Sequence, residues 1–587
     1  MSAVDTGAVT AHGVQAGARS VDTAVPLREP ASVMRLERLG AFHQTRLSFM
    51  RVLTRRMRRE RWRFTRPVFE LDAAGVGHAV YSVITPERTY SLVAFAHDLP
   101  AELRSDRVIA EAWDSTFTLF DGVPTAQDIE RLARNVPVQE AGRLDATELS
   151  LGRANRSVRL WAHVVESLAA GRQPDTDRIE AVGYLMRTTA VYGSGKFGAA
   201  DRESIADRAE LSGPFQIEML TVYLVRAWVR DLVQHAADTA GGAASVPLDP
   251  DIARSIGIGN STGLGMAPFI LNHPVLFDHW IGARETALSR VRGVARVGDA
   301  ERATFHALLT RSVVSAARWR TEHPLQGPRV ARLREDLDSI LVRIDGAEHD
   351  CLGGDRPWDR LYRWAEANLD MEGQECLVSL MLEPYGELVD DLVDTLACDQ
   401  DLPAIDGAMP LSAVADIIDE VYGWARSIDW EGRPARARAW YFSAEKLEPR
   451  LGERFEEPIE PYEQPLAPGR DAIALQRALA SWSPGAPVAE LLLRHPEHRH
   501  TVRRLQTVAC ASYAEIRDNT IGATVSPADM LRAKLSFFGA IHFDPRSDRW
   551  VRICMYANAP YPEELASGDA DTWPYPDLPA PDAGSPA

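Results

Sequence analysis

The spacing of apolar residues changes along the chain, and this change limits the folds that the sequence can adopt. Leu36 to Met57 recur at helical spacing, which predicts one amphipathic helix over Val33–Trp62. From Phe64 to Phe120, short runs of β-branched and aromatic residues predict strands of an antiparallel meander. From Thr125 to about Asp529, helical spacing returns over most of the chain. The pattern therefore predicts two short regions of different structure before a long helical one.

Near the C-terminus, Leu535–His542 and Trp550–Tyr556 predict a final hairpin that joins the N-terminal strands. We therefore predict an α+β fold: a predominantly helical body with a small antiparallel sheet, which the N-terminal region and the C-terminal hairpin form together. No internal repeat of fixed period is visible, and this disfavours a helical solenoid.

Composition and spacing divide the chain into five predicted segments. The two ends are rich in small residues or in proline, alanine and aspartate, which is typical of disorder. The predicted segments are a disordered tail (1–31), a basic helix with antiparallel strands (32–124), a helical body carrying glycine-rich segments (125–529), a C-terminal hairpin (530–566) and a second disordered tail (567–587).

Charge and cysteine content exclude several classes of function. The 587 residues carry a formal net charge of −18, which makes nucleic acid an unlikely partner because phosphate backbones attract basic surfaces. The five cysteines are widely spaced without a CxxC motif, and no secretory signal or membrane span is apparent. We expect a soluble cytoplasmic protein, with a homo-oligomer as one open possibility. No pattern identifies a cofactor.

The segment 255–268, SIGIGNSTGLGMAP, holds four glycines around three polar residues. Closely spaced glycines allow left-handed backbone and close approach of a ligand, and freed N–H groups bind anions. A tight connection between two helices is the alternative. We expect a binding site because the three polar side chains are costly to bury without hydrogen bonds. The predicted ligand contacts are Gly259, Asn260, Ser261 and Thr262.

A second glycine-rich segment, 187–202, contains the sequence GSGK. It is not a phosphate-binding P-loop, because the first glycine of that motif is missing and Phe197 replaces its Ser or Thr. A surface turn after a helix is the alternative to a binding loop. We predict ligand contacts for Tyr192, Gly193 and Gly195 and a catalytic role for Lys196.

Lysine is rare in this chain: only three of the 65 basic residues are lysines, and the other 62 are arginines. Lysine offers a compact charge with a tunable pKa, which arginine does not. The remaining lysines therefore mark positions where that difference matters. Lys196 is one, and Lys446 is predicted to bind substrate, although its neighbours resemble a solvated, salt-bridged helix face. Lys534 lies at the entry to the C-terminal hairpin.

His273 and Glu383 are the predicted proton-transfer residues. His273 follows the first glycine-rich segment, although a histidine before proline is more often packed or capping. Glu383 interrupts an apolar helix, so burial is expected to raise its pKa; a cap or a kink is the alternative. No spacing of ligands predicts a metal site, since HPEHRH at 495–500 is typical of an exposed turn.

Together these features favour an enzyme that acts on a small anionic metabolite or cofactor ester bearing a carboxylate or phosphate. Two glycine-rich segments and a lysine would hold the ligand, and acid–base chemistry would follow. The alternative is a non-catalytic helical scaffold or interaction protein, in which the glycines only serve packing. The reaction class is left open.

Overall fold

The structure is a computed structural model, and it describes residues 25–103, 112–139, 142–188, 198–199, 205, 207–211, 213–263, 273–319, 325–346, 350–396, 405–432, 440–442, 449–451, 467–515, 528–540, 542–544 and 550–566. Every structural statement below concerns these residues.

Ten strands of the described chain form one mixed sheet, and two more form a separate two-stranded ribbon. The order in the large sheet is β1-β2-β3-β4-β5-β6-β8-β12-β11, with β7 paired to β5. The strands are β1 (Arg63–Leu71), β2 (Gly77–Ile84), β3 (Thr89–Ala96), β4 (Ser115–Asp121), β5 (Glu148–Arg156), β6 (Tyr184–Thr188), β7 (Gly198–Ala199), β8 (Gly257–Gly263), β9 (Trp440–Phe442), β10 (Pro449–Leu451), β11 (His542–Asp544) and β12 (Trp550–Met555).

The predicted fold class is wrong in the size and origin of the sheet. Strands β5 to β8 come from the region predicted to be helical, and they form the middle of the sheet rather than an addition to it. These strands do not show the alternation of apolar and polar residues that identifies a half-buried strand, because both of their faces are covered. Tyr184 to Met186 of β6, for example, are all buried, and a short apolar run of this kind is equally compatible with a helix.

The C-terminal strands share the sheet with the N-terminal strands, but they pair with β8, far from β1. The predicted first strand of the hairpin is different: Leu535 lies in a helix, Ala528–Phe538, and β11 starts only at His542. The predicted helix over Val33–Trp62 is three helices in the structure. Its polar stretch around Gln44 is buried between helices instead of continuing the helical face.

Helices cover the sheet and form most of the remaining structure. The α-helices of the described residues are α1 (Pro30–Val33), α2 (Leu36–Gly40), α3 (Phe49–Arg59), α4 (Ala126–Asn135), α5 (Trp161–Ala169), α6 (Thr176–Val182), α7 (Gln216–Gly241), α8 (Pro250–Ser255), α9 (Pro274–Arg292), α10 (Asp299–Arg318), α11 (Gln326–Asp345), α12 (Pro357–Asn368), α13 (Met371–Leu382), α14 (Gly386–Val389), α15 (Leu411–Tyr422), α16 (Ala467–Leu479), α17 (Val488–Arg494), α18 (Arg499–Cys510) and α19 (Ala528–Phe538).

The central helix α7 is apolar on nearly all sides and is buried along most of its 26 residues. A helix of this kind belongs in a core. It packs across the sheet, with Trp228 fully buried, and it is held there by specific hydrogen bonds. Nε of Arg226 donates to the carbonyl oxygen of Ile256 at 2.9 Å, just before β8. The helix and the sheet therefore keep one fixed orientation.

A second apolar core lies between helices α15 to α18. It is built from side chains such as Ile418, Leu475, Leu491 and Leu505, all almost fully buried. The prediction of a single helical body over 125–529 did not anticipate two apolar cores or the strands in between.

Candidate anion-binding site

Each glycine-rich segment contains the end of a strand, and the two strands are parallel neighbours. β6 ends at Thr188 and β8 ends at Gly263, and Thr188 is aligned with Asn260 in the parallel pair. The carboxyl ends of parallel strands share one edge of a sheet, where ligand sites of α/β proteins are commonly built. Both segments therefore contain a strand end that lies at this edge. Five predicted ligand or catalytic residues lie outside the described residues: Tyr192, Gly193, Gly195, Lys196 and Lys446.

The glycines at the start of β8 have a packing role. A Cβ added at Gly259 would lie 2.5 Å from Cγ of Tyr184, and one at Gly257 would lie 2.5 Å from the carbonyl oxygen of Met555. Both are extended strand residues and neither has a left-handed backbone. Close packing, rather than positive φ, explains these two positions.

The predicted polar contacts of this segment follow Gly259 directly in the strand. Asn260, Ser261 and Thr262 are aligned with residues 553, 552 and 551 of β12. Their backbones therefore belong to the interior of the sheet, between β12 and β6, and not to a connection between helices.

Helix α7 points its N-terminus towards the same sheet edge. Nε1 of Trp228 donates to Oγ of Ser115, which is aligned with Ala154 of β5. Nearer the N-terminus of α7, the hydroxyl group of Thr221 is hydrogen-bonded to that of Ser150. Ser150 lies nearer the beginning of β5 than Ala154 does. Because β5 and β6 are antiparallel, the beginning of β5 lies towards the edge where β6 ends. The first residues of α7 therefore lie towards that edge as well.

Three long helices begin within one aromatic cluster. Phe49 is the first residue of α3, Phe215 is the N-cap of α7, and His273 is the N-cap of α9. The rings of Phe49 and Phe215 are 5.3 Å apart, and those of Phe215 and His273 are 6.3 Å apart. Phe538 at the end of α19 completes the cluster, 5.1 Å from Phe215. None of the three N-termini has a capping hydrogen bond from the side chain of its N-cap residue.

Phe215 has a strained backbone. Its φ is 56° and its ψ is 18°, the left-handed region that bulky residues avoid. A residue held in this conformation costs on the order of 1–3 kcal/mol, and such residues concentrate at functional sites. The contacts of its ring with three other aromatic side chains offset this strain.

Lys534 introduces a full positive charge into the cluster. Its side chain is almost completely buried, and Nζ lies 5.6 Å from the ring centre of Phe538. Its charge also reaches His273. Surrounding protein and the ammonium of Lys534 lower the pKa of His273 to about 4, although part of the imidazole is exposed. The imidazole is therefore neutral at pH 7.

Two buried polar atoms at these helix starts have no hydrogen-bond partner within the described parts of the chain. They are Oγ of Ser48, the N-cap of α3, and Oε1 of Gln216, the first residue of α7. Buried hydroxyl and amide groups usually have partners, because an unsatisfied one costs about 1–3 kcal/mol. The two atoms therefore point to a polar group that is supplied from outside these elements.

The arrangement favours negative charge. Each helix N-terminus carries roughly half a positive charge, and its first N–H groups are donors without intrahelical acceptors. A helix end of this kind favours a nearby negative charge, by up to about 2 kcal/mol where the geometry is partly buried. Aromatic walls lower the local dielectric constant and strengthen these interactions.

Glu383 belongs to a buried ion pair. Its two carboxylate oxygens accept from Nη1 and Nη2 of Arg51 at 2.5 and 2.7 Å, and both side chains are almost inaccessible. No contact among the described residues joins Glu383 to His273. The structure therefore gives this carboxylate a structural partner on α3, and its predicted proton-transfer role stays a prediction.

A second concentration of charge lies between α9 and α13, where three guanidinium groups share two carboxylates. Arg28 contacts Glu285 and Glu375 at 2.6 Å, and Arg284 contacts Glu375 at 2.7 Å. These guanidinium groups, together with that of Arg38, hold the pKa of Glu375 well below its usual range against the opposing effect of burial. Through Arg28, this cluster fastens residues 25–31, which the sequence assigns to a disordered tail, onto the helices.

Other chemistries find no support in the part of the chain that the structure describes. No group of three or more His, Cys, Asp or Glu side chains there is arranged to hold a metal ion. None of the helices there has the length and apolar character needed to cross a bilayer.

Comparison with known proteins adds no functional information. No protein-family model, no curated protein and no solved structure matches this chain.

Sequence reasoning missed most of the residues that form this cluster. The rarity of lysine drew attention to Lys534, but the prediction placed that residue before a strand and gave it no role. No sequence pattern indicated a functional role for Ser48 or Phe215. They lie at helix starts that are far apart in sequence and meet only in the tertiary fold. Of the two predicted catalytic residues that the structure describes, His273 lies in the cluster.

Proposed function

We propose that this protein is an enzyme that acts on a small anionic metabolite or cofactor ester, and that the aromatic cluster at the starts of α3, α7 and α9 holds the anionic group. The observation that carries the proposal is the meeting of three N-termini without capping side chains around a buried lysine. Backbone N–H groups and helix dipoles bind carboxylate or phosphate in this way.

The glycine-rich segments have a supporting role in this proposal. Both contain a strand end at the sheet edge towards which α7 points, and this shared edge supports their proposed role in enclosing the rest of the ligand. Lys196, Tyr192, Gly193, Gly195 and Lys446 remain proposed contacts. Asn260, Ser261 and Thr262 are proposed to orient polar groups of the ligand, and the glycines before them to allow the close packing of β8.

His273 is the proposed acid–base group. Its pKa of about 4 keeps the imidazole neutral at pH 7 and makes it a weak base there, so a proton taken from the substrate would be held only briefly. Lys534 would stabilise negative charge that develops during the reaction. Glu383 is the weaker candidate, because Arg51 already occupies both of its oxygens.

One observation favours the second candidate function, a non-catalytic scaffold. Gly257 and Gly259 are fully explained by the packing of β8 against Tyr184 and β12. If the other glycines serve packing in the same way, the chain would bind no small anion at all. The two functions therefore differ in ligand binding.

Thermal-shift measurements with nucleotides, CoA esters, organic acids and inorganic phosphate test the proposal. A ligand at a hundred times its Kd stabilises the folded chain by about 2.7 kcal/mol. We expect at least one anion to raise Tm of the wild type, and Lys534→Met to abolish the shift. Arg134→Met, at an exposed position on α4, is the matched control and should respond like the wild type. A panel without any shift, or an unchanged shift in Lys534→Met, would contradict the proposal.

A further inference from the structure

Arg153 of β5 is a partly buried cation without a carboxylate partner. Its guanidinium carbon lies 3.8 Å from the ring centre of Trp113, and its side chain makes no hydrogen bond or ion pair with any described residue. Burial lowers the pKa of Arg153, and no carboxylate of the described chain opposes that effect. Arg208 differs, because Asp121 at 2.8 Å raises the pKa of its guanidinium group against the effect of burial. The described chain therefore leaves the charge of Arg153 uncompensated.

The contact with Trp113 leaves the donors of the guanidinium group available. Arginine carries five N–H donors in one plane, in a fork that matches two oxygens of a carboxylate or phosphate. An indole attracts a cation through its ring face but provides no hydrogen-bond acceptor. Both side chains are partly exposed, so an anionic group can reach these donors from solvent.

Arg153 lies on the face of the sheet opposite α7. Ser115 of β4 accepts a hydrogen bond from Trp228 of α7, and Ala154 is aligned with Ser115. Because side chains alternate along a strand, Arg153 and its aligned partner Thr116 point to the other face. The aromatic cluster lies on the α7 side, so Arg153 is separate from it.

The other polar side chains of this row do not neutralise the cation. The hydroxyl of Thr116, which is aligned with Arg153, is hydrogen-bonded to Nε2 of His97 at 2.9 Å. Burial lowers the pKa of His97, so this imidazole is neutral at pH 7 and adds no charge. Asp114 accepts from the backbone N–H of Arg156 at 3.0 Å and lies 3.6 Å from its Nε. The carboxylate of this row is therefore paired with a different arginine.

The strand pairing beside β5 is interrupted at Arg153. The described pairs join β6 to β5 only as far as Ala154, and β7 to β5 only as far as Leu151. Gly152 and Arg153 lie between them without a partner in the described residues of either strand. The end of β6 and the whole of β7 belong to the glycine-rich segment 187–202. The cation therefore lies beside a segment for which the sequence predicts anion contacts.

We infer that Arg153 and Trp113 form a second binding site, which takes the carboxylate or phosphate group of a small molecule on the sheet face opposite α7. The guanidinium fork binds two oxygens of that group, and the indole fixes the position of the fork. Charge-assisted bonds of this kind are among the stronger hydrogen bonds in proteins. The site goes beyond the proposed function and does not depend on it.

Modification of the full chain by phenylglyoxal, which reacts with arginine side chains, tests this site when mass spectrometry identifies the modified peptides. Inorganic phosphate and succinate are the probes. An anion at about ten times its Kd leaves roughly one site in ten empty, so it should slow the modification of Arg153 about tenfold. Arg343 is the internal control, because it also lies over a tryptophan, Trp364, but is exposed to solvent. Unchanged modification of Arg153 with both anions, or equal protection of Arg343, would overturn the site.

Variants show whether this site is separate from the aromatic cluster. In isothermal titration, Arg153→Met should lose one bound anion per chain, and Arg153→Lys should restore only part of the affinity because it keeps the charge without the fork. Arg343→Met should bind like the wild type. Circular dichroism shows whether the variants fold. A folded Arg153→Met variant that binds like the wild type would overturn the site and leave the proposed function intact. Loss of the protection of Arg153 in Lys534→Met would show that the two sites are one and would overturn the second site.

Discussion

The rings of Phe215 and His273 meet edge to face, 6.3 Å apart, and this contact joins the first turns of the two helices α7 and α9. Phe215 keeps the contact at the expense of a left-handed backbone, and His273 remains neutral beside a buried ammonium group. Strain, a perturbed imidazole and converging helix starts therefore occur at one place. That coincidence is the reason for placing the ligand there.

Acidification should destabilise the protein through the shielded histidine His43. Burial, followed by the charges of Arg532 and Arg284, lowers the pKa of His43 to about 3. Below the unfolded value of 6.5, the unfolded chain binds protons that the folded chain does not bind. Stability present above pH 6.5 is therefore lost as the pH falls towards 4, by about 1.4 kcal/mol per pH unit for a fully shielded histidine.

Urea unfolding between pH 7.5 and 4.5 measures this effect. His43→Gln should flatten the decline in the free energy of unfolding, since it removes one titrating group. His306→Gln, at an exposed position paired with Asp345, is the control and should leave the pH profile unchanged. An identical profile in wild type and His43→Gln would show that the imidazole is not shielded as the structure indicates.

The ion pair of Arg51 and Glu383 should be structural. Removal of one partner from a buried pair leaves an uncompensated charge and destabilises by about 3–5 kcal/mol. We expect that loss for Glu383→Leu, measured by denaturant unfolding. The double variant Arg51→Met/Glu383→Leu should recover most of it, because no buried charge remains. Equal stability of the single and double variants would contradict the pairing.

The same variants address the predicted proton transfer by Glu383. Once a substrate is identified, a stable double variant with wild-type turnover would remove Glu383 from the list of catalytic residues. A stable double variant without turnover would restore the sequence-based prediction.

Gly259 should be intolerant of a side chain even without ligand. Gly259→Ala places a methyl group 2.5 Å from the ring of Tyr184, and overpacking of this kind usually costs about 1–3 kcal/mol. A smaller neighbour, as in Gly259→Ala/Tyr184→Leu, should relieve the clash. Gly327→Ala, in α11 with no atom within 4 Å of the added group, should be neutral or stabilising. A fully stable Gly259→Ala variant would return this glycine to the candidate ligand contacts.

The strands could be anticipated only where their pattern is local. β1 to β3 are runs of β-branched and aromatic residues separated by clear turns, and the sequence predicts their bounds within a residue or two. β8 has no alternation of apolar and polar residues. Its glycines are required by close contacts with Tyr184 and with the backbone of β12, which are distant in sequence. The sequence therefore indicates a close approach of backbone there but not the partner. For this reason a strand in the middle of the sheet was mistaken for a loop.

The anion-binding chemistry of the candidate site stays a prediction, and most residues of the cluster could not be anticipated. Rarity of lysine and density of glycine indicate an anion site, and His273 follows from its position after the glycines. The meeting of Phe49, Phe215 and His273 depends on the packing of three helices that begin more than 50 residues apart. No local pattern encodes such a meeting.

The lysines provide the last prediction. If the compact ammonium group matters, arginine should not replace it. Lys534 is buried among aromatic rings, so the larger guanidinium of Lys534→Arg would overpack the cluster and weaken anion binding, and Lys534→Met should lose binding because its side chain carries no charge. Lys196→Arg should also impair function, because Lys196 is one of the few positions at which this arginine-rich chain keeps a lysine. Ligand affinity and Tm of these three variants, with Arg134→Met as the control, measure both effects. If Lys196→Arg keeps wild-type anion affinity and Lys534→Met loses it, Lys534 alone would bind the charged group of the ligand. If all three variants keep wild-type affinity, neither lysine would belong to the site.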